Sequence, residues 1–536
     1  MLFRPKLFDT FKSYNKNKLI SDITAGLIVA IIALPLSIAL AIASGVSPER
    51  GLYTAIVAGF VIAALGGSNV NISGPTAAFA TIVAGIVATE GLEGRVIATV
   101  LAGIILILMG LLKLGSLIKY IPITITTGFT AGIALTIIIG QVKDFLGLTF
   151  SSSPIETPEK VHAIVESIST LNLAALLLGL AALAVLIVWP KISKKIPGSL
   201  VVVILGALAV KFLNINVNTI GDLYQITSAL PTPSLPAISL EKIIHLLPNA
   251  FTIAILAGIE SLLSCVVSDG MINDRHNSNT ELVAQGVGNI CSGIFGGIPA
   301  TGAIARTAAN VKNGGRSPIS GIVHAVVLFL VLVVLMPLAA WIPMPIIAAI
   351  LFMVAYNMSE WKRFVHICKT ATASEIIVLV VTFSLTVIFD LVVAIAIGLI
   401  LTAFLFMKKM ADSAQLKMIS DVSGREIPKN TVIYELNGPM FFAASDKFLD
   451  FPRDDNVRVM ILDATGLSML DATTIQNIDK LIVECKKDSI TLIVCHIAEA
   501  PLSTLKRSNL YEIIGDENFC KDIDSAIART KEILEK

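Results

Sequence analysis

Fifteen residues, GGIPATGAIARTAAN (296–310), combine small side chains with the hydroxyl of Thr301 and with one arginine, Arg306. Long apolar stretches flank them on both sides. Small residues such as Gly302 and Ala303 let a ligand approach the backbone, and the free N–H groups at the start of a helix attract anions. The segment therefore indicates an anion site, and Arg306, about one helical turn in, biases its potential.

A second stretch, ISGPTAAFATI (72–82), repeats this pattern earlier in the chain with Ser73, Thr76 and Ala77. The similarity extends further, because LGGSNVNISGPTAAFATI (65–82) aligns with FGGIPATGAIARTAANV (295–311). The earlier segment LIVAIIALPLSIALA (27–41) likewise aligns with IAILAGIESLLSCVV (253–267). The chain thus contains two related halves, each with one candidate ligand-binding segment.

Both candidate segments lead into helices too short or too interrupted to cross a bilayer alone. At a rise of about 1.5 Å per residue, 301–311 extends only about 16 Å, against a hydrocarbon core of about 30 Å. Helices that begin in mid-membrane present unpaired N–H groups and a positive dipole end. We expect two such ends to form one anion site, with hydroxyls from Ser73, Thr76 and Thr301. The alternative is that the small residues only allow close helix packing and that Arg306 is salt-bridged or reaches the interface.

A carboxylate, Glu260, lies in the middle of the apolar stretch AILAGIESLLSCVVSDG. Ionisable residues inside a membrane are costly and usually functional, and such a carboxyl can take up and release protons. Ser264, one helical turn further on, is predicted to share its face, so the two form a candidate ion-coupling pair. The alternative is that Glu260 is locked to Arg306 in a purely structural ion pair. His324, inside another apolar stretch, is predicted to be a packing histidine with satisfied hydrogen bonds.

Composition places these residues in an integral membrane protein. The 536 residues are 55% hydrophobic and 15% charged, with a mean hydropathy of +0.83. The first apolar run, near Ile23, lacks a small-residue cleavage site, so we expect it to remain as a transmembrane helix. The net charge of +1 favours no class of partner, and the sequence has no nucleic-acid signature, so we expect no nucleic-acid partner. Six cysteines lack metal-ligand spacing, so we expect reduced thiols, no metal and no cofactor.

The apolar pattern predicts an α-helical polytopic protein whose partners include membrane lipid. Fourteen spans are predicted: 23–43, 51–65, 74–89, 96–112, 121–140, 172–189, 198–214, 246–268, 280–294, 301–311, 318–336, 339–356, 374–389 and 391–407.

The loops and the repeat predict the topology of these spans. Eighteen Lys and Arg residues lie in loops on the side of the termini and six on the other side, which predicts cytoplasmic termini in the inner (cytoplasmic) membrane. Seven spans separate the copies, about 23–214 and 246–407. Because seven is odd, the second copy is inverted, as in secondary transporters.

The end of the chain is more polar. Charged residues make up about 28% of 427–536 but about 11% of 1–409. Strands are predicted at 431–436, 458–463 and 490–497, and helices at 473–487 and 522–536, which indicates a small α/β domain. The predicted domains are a cytoplasmic N-terminal segment (1–22), a transmembrane domain (23–410), a linker (411–430) and a cytoplasmic domain (431–536).

Four motifs make the chain similar to the SulP family, the sulfate permeases related to solute carrier family 26. They are IIALPLSIALAIASGVSPERGLYTAIVAGFVIAALGG (31–67), ISGPTAAFATI (72–82), GIESLLSCVVSDGM (258–271) and GGIPATGAIARTAANVKNGG (296–315). The resemblance implies a core domain from spans 1–4 and 8–11, a gate domain from the rest, and a homodimer that moves its core as an elevator. It also implies an anion between the starts of spans 3 and 10, touching Thr76, Ala77, Ala303, Ile304 and Ala305, with Leu40 nearby.

The resemblance also bears on coupling and substrate. Sodium-driven bicarbonate members typically have aspartate at the position of Glu260 and a hydroxyl at that of Ile304. Both differ here, which favours protons over sodium as the coupling ion. The motifs are closest in wording to the bacterial subgroup that includes a C4-dicarboxylate transporter. They leave open whether the anion is a dicarboxylate, bicarbonate, sulfate or chloride.

The C-terminal domain resembles the STAS domain shared by sulfate transporters and anti-sigma-factor antagonists. The strand-to-helix turn reads DATGLSMLDATT (463–474), and Thr473 falls where the antagonists carry a phosphorylatable serine. The resemblance implies regulation and a cytoplasmic protein partner. The alternative is a plain helix start, capped by Asp471 and without regulation.

Two functions follow from these features. The favoured one is a secondary active transporter that moves a small anion with protons through Glu260. The other is a membrane-anchored anion sensor that signals through its STAS domain. An enzyme is disfavoured, because the sequence shows neither a nucleophile with a base nor a nucleotide-binding motif.

Overall fold

The computed structural model describes residues 3–10, 14–116, 122–151, 154–193, 196–234, 236, 239–389, 391–419, 425–445 and 456–535. Position 121 of one predicted span, 420–424 of the predicted linker and Lys536 of the last predicted helix lie outside these ranges. The chain forms two compact units, Met1–Leu399 and Ile400–Lys536.

The first unit contains two short strands, β1 (Ser73–Gly74) and β2 (Thr301–Gly302), and is otherwise built from helices. They are α1 (Lys6–Thr10), α2 (Lys16–Ala43), α3 (Pro48–Leu65), α4 (Ala80–Leu111), α5 (Ile123–Leu146), α6 (Thr157–Glu166), α7 (Leu173–Ile192), α8 (Gly198–Leu213), α9 (Ile220–Leu223), α10 (Leu240–Ile272), α11 (Ser278–Ile294), α12 (Ile304–Lys312), α13 (Ile319–Leu335), α14 (Met344–Met358), α15 (Trp361–Thr370), α16 (Ala373–Ile388) and α17 (Leu391–Ser413), which crosses the division.

These helices make the chain a multi-pass membrane protein. Within the described ranges, nine helices combine the length and the apolar composition needed to cross a bilayer, and α8 and α16 are shorter apolar helices. All fourteen predicted spans fall on helices, the predicted spans 74–89 and 96–112 both on α4 and the turn that precedes it. Gly91 interrupts α4 with φ 68° and ψ −168°. Glycine adopts this backbone conformation without steric cost, so one residue replaces the expected loop.

The membrane helices pack in two groups. In one, α4 packs on α10 and α11, α3 on α11 and α13, and α2 on α12 and α13. In the other, α5 packs on α14 and α16, and α7 on α8 and α14. Each group mixes helices from both halves of the chain. This division agrees with the predicted core, from spans 1–4 and 8–11, and the predicted gate.

Close contacts inside the core depend on small residues. Where α4 crosses α11, a Cβ atom added to Gly103 would lie 2.6 Å from the carbonyl oxygen of Gly286, and one added to Gly286 would lie 2.5 Å from that of Gly103. Such approach distances allow only glycine on both helices. Close packing at this crossing involves glycines outside the two candidate anion-binding segments.

The second unit is a mixed α/β domain. Its sheet has the order β3 (Gln415–Ile419), β4 (Thr431–Met440), β5 (Val459–Leu470), β6 (Thr491–Cys495) and β7 (Phe519–Cys520), with β3 antiparallel and the other pairs parallel. The helices are α18 (Ala472–Lys487), α19 (Glu499–Arg507), α20 (Leu510–Ile514) and α21 (Ile523–Leu534).

Successive residues of the central strands point to opposite faces of the sheet, and apolar clusters cover both faces. Tyr434 and Leu462 belong to the apolar cluster on one face, and Ile433 and Ile461 to that on the other. Parallel strands covered on both faces read as continuous apolar runs. That is why the three predicted strands were found, whereas the short β7 and the edge strand β3 were missed.

Candidate functional site

Two short strands join the candidate anion-binding segments of the two halves. Strand β1 (Ser73–Gly74) pairs antiparallel with β2 (Thr301–Gly302), with Ser73 opposite Gly302 and Gly74 opposite Thr301. The Ala303 N–H extends the pairing by donating to the Ile72 carbonyl at 2.9 Å. Because each strand leads into a helix and the strands run in opposite directions, the helices leave the strand pair in opposite directions, as inverted repeats predict.

Both helix starts lack a side-chain cap. A 3₁₀ turn, Ala77–Phe79, opens the first and has Thr76 as its N-cap residue, while α12 has Ala303 in that place. Neither N-cap residue accepts a hydrogen bond from its helix through its side chain. The first N–H groups of a helix have no intrahelical acceptor, so these two starts can donate to a ligand.

Accessibility differs among the predicted contact residues. Ile304 is 41% exposed, Ala305 is exposed, and Thr76 and Ala303 are half-buried. Three further predicted contacts are buried: Leu40, Ala77 and Gly302. The open part of the candidate site is therefore the start of α12 together with Thr76.

The three predicted hydroxyls are used in different ways. The Thr76 hydroxyl donates to Glu260 Oε2 at 3.0 Å. Thr301 is buried and donates to the Ala257 carbonyl at 2.7 Å, and the buried Ser73 hydroxyl accepts from Gln285 Nε2 at 3.0 Å. The hydrogen bonds of Ser73 and Thr301 stabilise the strand pair. Because Thr76 is only half-buried, its hydroxyl is the one placed to meet a ligand.

Arg306 and Glu260 do not pair. Arg306 is 3% exposed, and its Nη2 donates to the Pro75 carbonyl at 3.1 Å while its Nη1 has no hydrogen-bond partner. The guanidinium lies against Gly74, where an added Cβ would come within 2.6 Å of Nη1. Among the described residues Arg306 forms no ion pair within 4.0 Å, and Glu260 turns to Thr76 instead. The alternative of a structural Glu260–Arg306 ion pair is therefore wrong.

Ser264 and Glu260 have different hydrogen-bond partners. Its hydroxyl lies 2.8 Å from Asn71 Oδ1 and 3.0 Å from Thr307 Oγ1, and Thr307 in turn accepts from the Ile72 N–H. The two residues lie one turn apart on α10, and no hydrogen bond joins their side chains in the described part of the chain. Ser264 holds residues at the start of the first strand, and its part in ion coupling stays a prediction.

A buried carboxylate that the sequence analysis missed supports the strand pair. Glu281 is 1% exposed, and its Oε1 accepts from Asn71 Nδ2 at 2.8 Å, Ser261 Oγ at 3.0 Å and Gln285 Nε2 at 3.0 Å. Its Oε2 accepts from the Gly67 N–H at 2.9 Å. Four donors thus surround one carboxylate in the core. Glu281 lies at the start of the predicted span 280–294, and an acid within a membrane span is a candidate for a role, so the sequence did carry a signal for it.

His324 is a packing histidine, but it is not a satisfied one. It is fully buried in α13, and neither ring nitrogen has a hydrogen-bond partner within the described part of the chain. An added Cβ on Gly59 would lie 3.9 Å from its Nδ1 and 3.1 Å from the Ser73 carbonyl oxygen. The ring therefore packs close to the strand pair, and the expected hydrogen bonds are absent.

In the second unit, Thr473 is exposed in the first turn of α18. The helix is capped as predicted, because Asp471 accepts from the Thr474 N–H and hydroxyl, both at 2.9 Å. Asp471 also accepts from the Phe442 N–H at 2.8 Å. Burial acts to raise the pKa of Asp471, but these hydrogen bonds outweigh it and hold that pKa below its ordinary value.

One group in the described ranges has the chemistry of a metal site. Asp463, Cys495 and His496 bring their ligand atoms within 4.8 Å of one another. His496 Nδ1 lies 3.0 Å from Asp463 Oδ1, which also accepts from the Thr465 N–H and hydroxyl. Burial raises the pKa of the Cys495 thiol, which disfavours the thiolate that a metal would need. The hydrogen bonds of Asp463 explain why these side chains lie together without a metal ion.

Comparison with known protein families divides the chain as the structure does. Residues 19–382 match the sulfate permease family and residues 425–526 match the STAS domain. Among related proteins, YvdB of Bacillus subtilis (strain 168), named as a candidate sulfate transporter, is 38% identical over 517 residues, covering 95% of this chain and 97% of YvdB. The bicarbonate transporter BicA of Picosynechococcus sp. is 31% identical over 455 residues, covering 79% of each chain.

Solved structures show the same fold. Murine solute carrier 26 family member A9, an anion transporter solved in the inward-facing state, superposes with a TM-score of 0.90 at 19% identity and covers 98% of this chain and 94% of its own. The transmembrane domain of a cyanobacterial BicA superposes with a TM-score of 0.64 at 31% identity, covering 73% of this chain and 98% of that domain. The chain belongs to the sulfate permease family, and it ends in a STAS domain.

Proposed function

We propose that the protein is a secondary active transporter that moves a small anion across the cytoplasmic membrane with protons. One observation carries the proposal: two uncapped helix starts flank one strand pair, and beside them a carboxyl group, Glu260, accepts a hydrogen bond from Thr76. Helix starts without capping side chains attract an anion. A carboxyl in the same place can hold a proton.

The proposed anion site lies at the start of α12, with Thr76 across from it. The N–H groups of Ile304 and Ala305 would donate to the anion beside the small Ala303. Arg306 contributes positive charge without closing the site, because its guanidinium is held by the Pro75 carbonyl. Leu40, Ala77 and Gly302, which are buried, would line the wall behind this space.

The hydrogen bond between Thr76 and Glu260 provides a route to proton coupling. When Glu260 is ionised, its negative charge repels an anion and its oxygen holds the Thr76 hydroxyl. When Glu260 is protonated, the repulsion ends and the Thr76 hydroxyl is free to donate to the anion. Anion and proton are thus taken up together.

Small oxyanions and carboxylates are the proposed substrates. YvdB is named for sulfate and BicA for bicarbonate, and the motif wording adds C4-dicarboxylates. Two uncapped helix starts favour a ligand that is small and negatively charged, and all of these anions are both. Chloride completes the set to be tested.

The proposed movement is an elevator in which the core helices shift relative to the gate helices in a homodimer with cytoplasmic termini. The interleaved packing supports it, since helices of both halves form each group. The STAS domain is proposed to meet a cytoplasmic partner, with Thr473 as its candidate control point because it is exposed in the first turn of α18.

Uptake by purified protein in liposomes tests the proposal. Labelled sulfate, bicarbonate, succinate and chloride are offered with the outside acidified and with no pH gradient. We expect one of these anions to accumulate, and more so with acid outside. Binding without net flux would support an anion sensor instead, and accumulation that requires a sodium gradient would exclude proton coupling.

A further inference from the structure

Two arginines outside the proposed transport site converge on one backbone oxygen. Arg50, in the first turn of α3, donates from Nη1 to the Gly296 carbonyl at 2.9 Å. Arg95, just beyond the break at Gly91 in α4, donates from Nη1 to the same oxygen at 2.7 Å. Gly296 follows the end of α11, and an added Cβ there would lie 3.1 Å from Arg50 Nη1. We call Arg50 and Arg95 the arginine pair.

The arginine pair carries more charge than its acceptor balances. A single backbone carbonyl bears only a fraction of a negative charge, so one cation would satisfy it. Two guanidinium groups on one oxygen also repel each other. Arg95 is 2% exposed, and its Nε is buried without a hydrogen-bond partner. A further acceptor is therefore needed beside Arg95.

Nearby carboxylates do not supply that acceptor. Within the described ranges neither arginine has an ion pair within 4.0 Å. Glu93 pairs with Lys242 at 3.2 Å, and Glu90 pairs with His245 at 3.2 Å. Glu49, next to Arg50 in the chain, accepts from the Ser47 hydroxyl through Oε1, and its Oε2 has no partner. No carboxylate in the described ranges is therefore ion-paired with either arginine.

We infer that the arginine pair binds a small oxyanion, at a second site distinct from the helix starts at β1 and β2. Guanidinium groups present parallel N–H donors that match the oxygens of sulfate, bicarbonate or a carboxylate. The burial of Arg95 limits the ligand to a small one, with the half-buried Arg50 at the entrance. In the fourteen-span topology the site faces the side opposite the termini. Its role as a capture site for incoming anions rests on the proposed transport function.

Thermal unfolding of the full-length protein tests this site without relying on transport. Sulfate is titrated at constant ionic strength into protein that carries Ala303→Trp, which fills the proposed transport site. A ligand that binds the folded state raises its unfolding temperature with concentration. We expect sulfate to stabilise Ala303→Trp, and Arg50→Gln on that background to weaken the apparent affinity about tenfold, or about 1.4 kcal/mol.

Two matched variants complete the test. Arg50→Lys keeps the charge but loses the parallel N–H donors, so its affinity should fall between those of wild type and Arg50→Gln. Lys242→Gln removes a paired cation near the same helices and should change nothing. Equal stabilisation with and without Arg50→Gln, or none in Ala303→Trp, would overturn the inference. If Ala303→Trp does not fold, wild-type protein and Arg50→Gln are compared instead. The unfolding temperature of wild type should rise in two steps as sulfate is added, one for each site, and Arg50→Gln should lose one step. A single step in wild type would overturn the site.

A lipid headgroup could supply the same oxyanion chemistry, so the titration is repeated with phosphatidylglycerol in place of sulfate. A response to either ligand that depends on Arg50 supports the site and identifies its source. If wild-type protein transports no anion, the proposed function fails. The sulfate titration then still reports on the arginine pair.

Discussion

At the scale of single residues, the 3.0 Å hydrogen bond between Thr76 and Glu260 joins the proposed anion-binding hydroxyl to the proposed proton-carrying carboxyl group. Thr76 stands at the start of one helix, and its hydroxyl has one proton to give, either to Glu260 or to an anion. The protonation state of Glu260 therefore decides which acceptor it serves. Arg306 takes no part in this exchange, because it donates to the Pro75 carbonyl.

The open space beside Ala303 gives the first prediction. A tryptophan there would occupy the volume before α12 and displace the anion, so Ala303→Trp should abolish uptake, as should Thr76→Trp. Leu330→Trp is the matched control, because Leu330 is 56% exposed on the core helix α13. Uptake is measured in liposomes, and folding is checked by size-exclusion chromatography. Wild-type uptake by either site variant would place the anion elsewhere.

At the scale of elements, the strand pair depends on the carboxylate of Glu281. Glu281→Gln replaces one acceptor oxygen by a donor, which would face one of the four donors around it. We expect a loss of about 1–3 kcal/mol in the free energy of unfolding. Amide exchange over 67–76 should also accelerate, as measured by mass spectrometry. Unchanged exchange there would show that Glu281 does not hold the strand pair.

The N-cap of α18 gives a prediction for the STAS domain. Asp471→Ala removes the acceptor for the Thr474 N–H and should cost about 1 kcal/mol. Because hydrogen bonds hold the pKa of Asp471 below its ordinary value of 3.8, its stabilisation is complete above that pH and is lost as the pH falls through the lower pKa of the folded state. Amide exchange over 472–487 measures the effect at neutral pH, where equal rates in variant and wild type would contradict it. Asp471→Asn, which keeps an acceptor, is the control.

The elements and the side chains differ in how far the sequence predicts them. Apolar runs locate helices because burial in lipid demands them, and the short run before Lys312 predicts the short helix α12. The partners of Ser73, Ser264 and Thr301 could not be predicted in this way. They depend on which rotamer faces which neighbouring helix, and sequence spacing does not determine that. The network around Glu281 joins residues more than 200 positions apart, so its parts look unrelated along the chain.

At the scale of the whole molecule, the two units should be separable in function. Every residue of the proposed anion site precedes Lys312, so a chain that ends after Met410 should still bind the anion, even if its expression or transport rate falls. Anion-dependent thermal stabilisation of the truncated and full-length proteins measures this. Complete loss of binding in a well-folded truncated protein would show that the STAS domain contributes to the site.

The most direct test of the account is anion accumulation driven by a pH gradient, compared between wild-type protein and Glu260→Gln in liposomes. The variant keeps an acceptor oxygen for Thr76 and has no titratable proton. The account predicts that it still exchanges labelled anion but no longer accumulates it when the outside is acidified. Glu241→Gln, at an exposed position on the same helix, should accumulate anion like wild type. Full pH-driven accumulation by Glu260→Gln would contradict the coupling role of Glu260.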